Sequence, residues 1–221
     1  RPYFYHHFGG QFTKMAKHFQ LNKLPRRILD LGCGVGTQSL FFSLMGTEVI
    51  CLDKNEKALS VFEKRKIYYE KVIGRQLKIQ MYCADALSFN YKQIEPIDCV
   101  HSMFSGITLS SRLITLFNEA CTLDSSLAIL DTNFASWKIR LKKPRWIWRV
   151  LSPKEIKAEL ENNGWEVIEQ AGGVSIPPAF WKIFPNKVLC AIDSRLRSTL
   201  FFPVSYLTLA KRKSSQCVLL H

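Results

Sequence analysis

Short apolar runs alternate with longer mixed segments along most of this chain. Runs such as Ile28-Leu29, Val49-Ile50-Cys51-Leu52 and Cys99-Val100 predict strands near 27–31, 48–53, 77–82, 97–102 and 126–132. The segments between them predict helices near 37–45, 55–72 and 110–122. Thr37 or Gly36 suits the start of the first helix and Gly46 its end. Asn55-Glu56 opens the second helix and Gly74 follows it. Strands alternating with helices of this length predict βαβ units and a parallel, doubly wound sheet. Right-handed crossovers then bring the carboxyl ends of the strands, and any ligand, to one edge.

The last third changes character. Ser152-Pro153-Lys154-Glu155 is a helix start, with Ser at the N-cap, Pro at the first helical position and an acid two residues later. That helix is expected to reach Asn163, with Gly164 ending it, and strands are expected over 165–169 and 204–210. Between those strands, Ile176 to Pro203 carries Pro177-Pro178, Phe180, Trp181, Phe184 and a helical pattern over 187–197. It reads as a helical cap inserted into the domain at 176–203. At the other end, Tyr3 to Gly10 is aromatic and holds His6 and His7. Residues 11–20 can follow as a helix with Phe12, Met15, Ala16 and Phe19 on one face. The chain divides into an N-terminal segment 1–24, a lid or an edge-packing cluster; a domain 25–213; and a flexible tail 214–221.

The chemistry concentrates in Asp30-Leu31-Gly32-Cys33-Gly34-Val35-Gly36-Thr37, where a buried strand runs through a glycine turn into a helix. Glycine allows backbone to approach a ligand where a Cβ would clash. Asp53 ends the next strand, about 20 residues on, where a carboxylate can accept bonds from two ribose hydroxyls. The glycines are spaced G-x-G-x-G, not the G-x-G-x-x-G of dinucleotide loops, and no Lys follows them as in a P-loop. Asp30 beside the loop disfavours a pyrophosphate and suits a ligand carrying an ammonium and a sulfonium.

These residues resemble the class I S-adenosylmethionine (SAM)-dependent methyltransferases. The resemblance runs through Leu29 to Gly36, then Val49 to Asp53, Cys83-Ala84-Asp85-Ala86-Leu87 and Asp98 to Met103, in the family's order, and covers about Leu24 to Ala210. It implies an α/β fold with a mostly parallel seven-stranded sheet whose last strand is antiparallel. It implies SAM as cofactor and S-adenosylhomocysteine (SAH) as product. Gly32, Cys33, Gly34, Gly36 and Thr37 would line the methionyl part of SAM, with Asp30 beneath. Asp53 would hold the ribose, Lys54 would lie along the adenine, and Asp85 and Ala86 would meet its edge. Met103 would close the pocket from the fourth strand. Lys54 departs from the apolar residue frequent in the family, but its stem can cover a ring.

Composition adds three points. The 221 residues fit one α/β domain with additions, and no apolar run reaches the ~18 residues of a membrane-spanning helix. Seven cysteines without C-x-x-C or a metal-ligand spacing predict no disulfide framework, no metal site and a reducing, cytoplasmic compartment. The net charge of +13, dense in 138–145, is compatible with an anionic membrane surface, RNA, an acidic substrate or a solvated basic face.

Methyl transfer from a sulfonium is mainly a matter of alignment. A hydroxyl acceptor would also need a base. His6 is the candidate, ahead of His7 and of His101, which sits inside a predicted strand. Asp98-Cys99-Val100 continues His101-Ser102-Met103-Phe104, not the Asn- or Asp-Pro-Pro-aromatic of enzymes acting on amide or adenine nitrogens. A small-molecule or lipid-like acceptor is therefore expected, with RNA methylation and a non-catalytic SAM-fold partner protein as alternatives.

Overall fold

The computed structural model describes residues 24–103, 109–132, 151–172, 185, 187–189, 191 and 205–213. The strands are β1 (Arg27–Leu31), β2 (Glu48–Asp53), β3 (Ile79–Cys83), β4 (Ile97–Met103), β5 (Cys121–Thr132), β6 (Trp165–Gly172) and β7 (Ser205–Arg212). The helices are α1 (Thr37–Leu44), α2 (Glu56–Ile73), α3 (Ser111–Asn118) and α4 (Pro153–Asn162), with a short 3-10 turn at Tyr91–Ile94. The strands form one sheet in the order β3-β2-β1-β4-β5-β7-β6. All neighbours run parallel except β7, which is antiparallel to both β5 and β6. The doubly wound, mostly parallel sheet and its antiparallel last strand are as expected.

Local chemistry explains the element ends. Asn55 caps α2 by accepting from the Ala58 N–H at 3.2 Å, and Gly74 ends it in the left-handed region at φ 68°. Ser152 and Glu155 form a full capping box at α4. The third expected helix, 110–122, is shorter than its apolar pattern suggested. It stops at Asn118, and β5 starts at Cys121, five residues before the expected 126. After Asn118 the Glu119 and Ala120 N–H groups tighten onto the Leu116 and Phe117 carbonyls, and the next carbonyls are taken from elsewhere in the fold: Arg212 donates to that of Asn118 at 3.0 Å and the Ile97 N–H to that of Ala120 at 2.8 Å. The Asn118 side chain ties the helix end down, its Oδ1 accepting from the buried Trp165 Nε1 at 2.8 Å and its Nδ2 donating to the Asn163 carbonyl. Strand β3 begins at Ile79 where 77 was expected, and β6 and β7 run on to Gly172 and Arg212.

Two apolar layers sandwich the sheet. One face packs Leu29, Leu31, Val100 and Leu127 against α3, α4 and the aromatic pair Phe89–Tyr91. The other packs Ile28, Val49, Cys51 and Cys99 against Leu40, Phe42, Leu59 and Phe62 of α1 and α2. Strand order reverses between β1 and β4, so the crevice of the sheet opens at their carboxyl ends.

The N-terminal segment with Tyr5 and His6, the basic run 138–145, most of the insertion 176–203 and the tail 214–221 lie outside the described residues. Of the insertion, residues 187–189 and 191 are helical and Leu189 is buried, within the helix expected over 187–197.

Candidate active site

The turn after β1 is built by three glycines with positive φ: Gly32 at 69°, Gly34 at 54° and Gly36 at 71°. The N–H groups of Gly32 and Cys33 both reach back to the Leu52 carbonyl, at 2.7 and 3.4 Å, which ties the turn to the end of β2. The glycines answer different demands. A Cβ on Gly36 would stand 2.3 Å from the Phe62 ring, so glycine there lets α2 pack under the turn. Among the described residues a Cβ on Gly34 would meet nothing within 4 Å, so their packing does not require glycine there. Its positive φ does, and so would close approach of a ligand.

Asp53 closes the turn from β2. Its Oδ2 accepts the Gly34 N–H at 2.8 Å, and its Oδ1 accepts the Asn55 N–H at 2.8 Å. Each carboxylate oxygen has a second lone pair, so the half-buried group can still accept from two hydroxyls. Asp30 lies on the α1 face of the sheet, 2% exposed. Its Oδ1 is 2.9 Å from His101 Nδ1, and its Oδ2 accepts from Ser39 Oγ. Parallel register makes this pairing: Asp30 and His101 are direct partners across β1 and β4. The Phe42 ring stacks edge-on against His101 at 5.2 Å, and His101 Nε2 is buried without a hydrogen-bond partner.

Cys33 is buried in the turn. A hydrogen bond with Cys51, burial and the nearby Asp30 and Asp53 carboxylates push its thiol far up, so it serves as a neutral packing group. Thr37 Oγ1 accepts from Arg65 at 3.0 Å, and the same guanidinium nitrogen donates to the Val35 carbonyl at 2.6 Å. Met103 ends β4, with its sulfur 2.9 Å from Gln38 Nε2. Lys54 is exposed beside Asp53.

Asp85 and Ala86 follow β3, which is joined to β2 by the Ala84 N–H donating to the Asp53 carbonyl at 3.1 Å. Asp85 Oδ1 accepts from the Leu87 N–H at 2.8 Å, an Asx turn that holds this exposed carboxylate in place. The Ala86 carbonyl accepts from the buried Tyr91 hydroxyl at 2.9 Å. Burial, and then the Asp85 charge, push that hydroxyl up and keep it a donor.

The structure thus gathers Asp30, Gly32, Cys33, Gly34, Gly36, Thr37, Asp53 and Met103 around one turn, with Asp85 and Ala86 on the neighbouring strand end. Sequence reasoning missed the supporting residues Ser39, Arg65, Phe62 and Tyr91, and gave His101 no partner. A histidine inside an apolar strand should have prompted a search for a buried acid on the adjoining strand. Among the described residues no cluster of His, Cys, Asp and Glu could hold a metal ion.

The profile of the family described as "Tellurite resistance protein TehB" matches residues 12–129, just over half of the chain. The chain belongs to that family. Curated relatives agree over a shorter stretch. The probable SAM-dependent methyltransferase TehB of Haemophilus influenzae is 43% identical over 42 residues, which is 19% of this chain and 15% of the relative. The matched stretch is therefore a small part of the curated relatives' length. Among solved structures, the crystal structure of H. influenzae TehB superposes with a TM-score of 0.60 at 18% identity, covering 93% of this chain and 62% of that one. Magnesium protoporphyrin IX methyltransferase from Synechocystis PCC 6803, crystallised with bound SAM, gives a TM-score of 0.61 at 17% identity, covering 93% of this chain and 79% of that one. The fold of this TehB family member is the class I methyltransferase fold.

Proposed function

We propose that this TehB family member is a SAM-dependent methyltransferase that transfers a methyl group to a small-molecule or lipid-like acceptor. The observation that carries the reading is the link from Asp53 Oδ2 to the Gly34 N–H. It holds the carboxylate to which we assign the ribose against a glycine turn where, among the described residues, a Cβ on Gly34 would meet no atom within 4 Å.

The residues fit the cofactor's charges. Asp30 is a buried carboxylate held by His101 and Ser39. A buried carboxylate favours a cationic group nearby. Asp53 would hold the ribose hydroxyls, and Asp85 with the Ala86 backbone would meet the adenine edge. Gly32, Cys33, Gly36 and Thr37 would line the methionyl part, with Lys54 along the adenine and Met103 closing the pocket. Bound SAM supplies a methyl on a sulfonium leaving group. The chain supplies alignment and exclusion of water.

Support for the acceptor class comes from the end of β4, where His101-Ser102-Met103 replaces the motif of amide and adenine methyltransferases. The solved relative that methylates magnesium protoporphyrin IX is compatible with it. In this proposal segments 1–24 and 176–203 supply the acceptor side, on the strength of their aromatic composition, with His6 as the base if the acceptor is a hydroxyl. A reducing, cytoplasmic setting is proposed from the seven cysteines, which show no C-x-x-C and no metal-ligand spacing. No helix among the described residues is long and apolar enough to cross a membrane.

Thermal unfolding with added nucleosides tests the cofactor class. SAM and SAH should each raise Tm, while NAD and ATP at equal concentration should not. A rise with NAD or ATP, and none with SAM or SAH, would refute the reading.

A further inference from the structure

The solvent face of α2 is basic and apolar along most of its length. Its exposed positions are Glu56 in the first turn and then Lys57, Ser60, Val61, Lys64, Ile67, Tyr68, Lys71 and Val72, continued by Arg75 just past the helix. At about 100° per residue the positions from Lys57 onward fall within an arc of ~140°, with Glu56 just outside its edge. That arc holds four cations, four large apolar side chains and no carboxylate. The helix has three acids, and all lie on one flank of the stripe. Glu56 stands in the first turn, Glu63 pairs with Lys66 at 3.6 Å, and Glu70 accepts the Leu77 N–H at 2.9 Å.

The apolar members are well outside the core: Tyr68 is 64% exposed and Val72 63%. Single exposed apolar residues are ordinary. Here four recur on one helical face, interleaved with lysines at a seven-residue spacing, Lys57, Lys64 and Lys71. Beside the far end of the stripe, Arg75 donates to the Leu44 carbonyl at 2.9 Å, which brings the end of α1 and the exposed Met45 alongside.

We propose that the α2 face docks the protein on an anionic lipid surface. Charge and shape select that occupant. A helix lying in a bilayer interface seats its apolar side chains at the boundary of headgroups and acyl chains and pairs lysines with anionic headgroups. Tyrosine is well suited to that boundary, with an apolar ring and a polar tip. Lysine stems reach along apolar surface while their ammonium groups stay with the headgroups. A second copy of this chain is a poor occupant, because a two-fold contact would set the same cations against each other. Nucleic acid would use the cations but leaves Val61, Ile67 and Val72 without a role. The inference stands independently of methyl transfer. Its one geometric tie to the site is that Asn55, the cap of α2, follows Asp53 by two residues, so the docking face runs up to the edge of the crevice.

The test is co-sedimentation of the full chain with phosphatidylcholine vesicles, with and without phosphatidylserine. Binding should need phosphatidylserine and weaken with salt. Lys64→Glu/Lys71→Glu should lower the partition coefficient about tenfold or more, since each basic residue near the surface contributes measurably. Tyr68→Ser/Val72→Ser, which changes no charge, should lower it several-fold. Lys154→Glu/Lys157→Glu on α4 makes the same change in net charge and should leave binding nearly unchanged. No binding to phosphatidylserine vesicles would overturn the proposal, as would equal losses from the α2 and α4 charge variants. An RNA oligonucleotide bound more tightly than the vesicles, and released by the α2 variants, would overturn it in favour of RNA.

Discussion

Asp30 and His101 face each other in register across β1 and β4, with carboxylate oxygen and ring nitrogen 2.9 Å apart and both side chains sealed from solvent. The pair sits directly beneath the glycine turn. It holds the buried carboxylate in one orientation together with Ser39. Removing one partner leaves a buried polar group unsatisfied, at about 1–3 kcal/mol. His101→Phe should therefore lower the urea midpoint with little change in slope. In a double-mutant cycle with Asp30→Asn, the coupling should be about 1 kcal/mol or more. Additive effects would show that the contact contributes nothing.

Gly34 and Gly36 of the turn should separate binding from folding. Gly36→Ala puts a Cβ 2.3 Å from Phe62 and should destabilise the fold severely, with partial recovery in Gly36→Ala/Phe62→Ala. Gly34→Ala meets no atom of the described residues and carries the strain of a left-handed residue, about 1–2 kcal/mol. It should fold and yet bind SAH weakly. Equal stability losses at the two positions, measured by urea unfolding, would contradict this assignment.

The buried thiols give a pH dependence of known sign. Cys33 and Cys99 have thiols pushed far up, by the Cys51 hydrogen bond and by burial respectively, and burial pushes Cys121 up to about 12. A free thiol ionises near ~8.5. Above that pH the unfolded chain loses protons that the folded chain keeps, so stability is full below it and falls as pH rises. Unfolding free energy should decline above pH ~9. At pH ~8, iodoacetamide should modify the exposed Cys83 well before Cys33, Cys51, Cys99 or Cys121, as peptide mass spectrometry would show. Early labelling of Cys33 would place its thiol outside the packing described.

Periodicity and punctuation made much of this fold legible. Gly74, Asn55 and the Ser152 to Glu155 box announced helix ends that the structure keeps. The third helix was overextended because the apolar pattern around Ala120-Cys121 serves a buried helix and a buried strand equally well. What settles it is the pairing of Cys121 with Ile97 of β4, whose N–H donates to the Ala120 carbonyl at 2.8 Å. The glycine turn and Asp53 were readable because their conformational and charge requirements are local. The His101–Asp30 pair was not, since it depends on which strands become neighbours. Arg65 clamping Val35 and Thr37 needs α2 folded back over the turn, which no local pattern announces.

The central claim is that Asp53 recognises the ribose of a SAM-type cofactor, and isothermal titration with SAH tests it most directly. The wild-type chain should bind one equivalent. Asp53→Ala should remain folded and lose two charge-assisted hydrogen bonds, each about 1.5–3 kcal/mol, for a loss in affinity of a hundredfold or more, to about 10²–10⁴. A wild-type chain that fails to bind SAH, or an Asp53→Ala variant that binds it as tightly as wild type, would contradict the account.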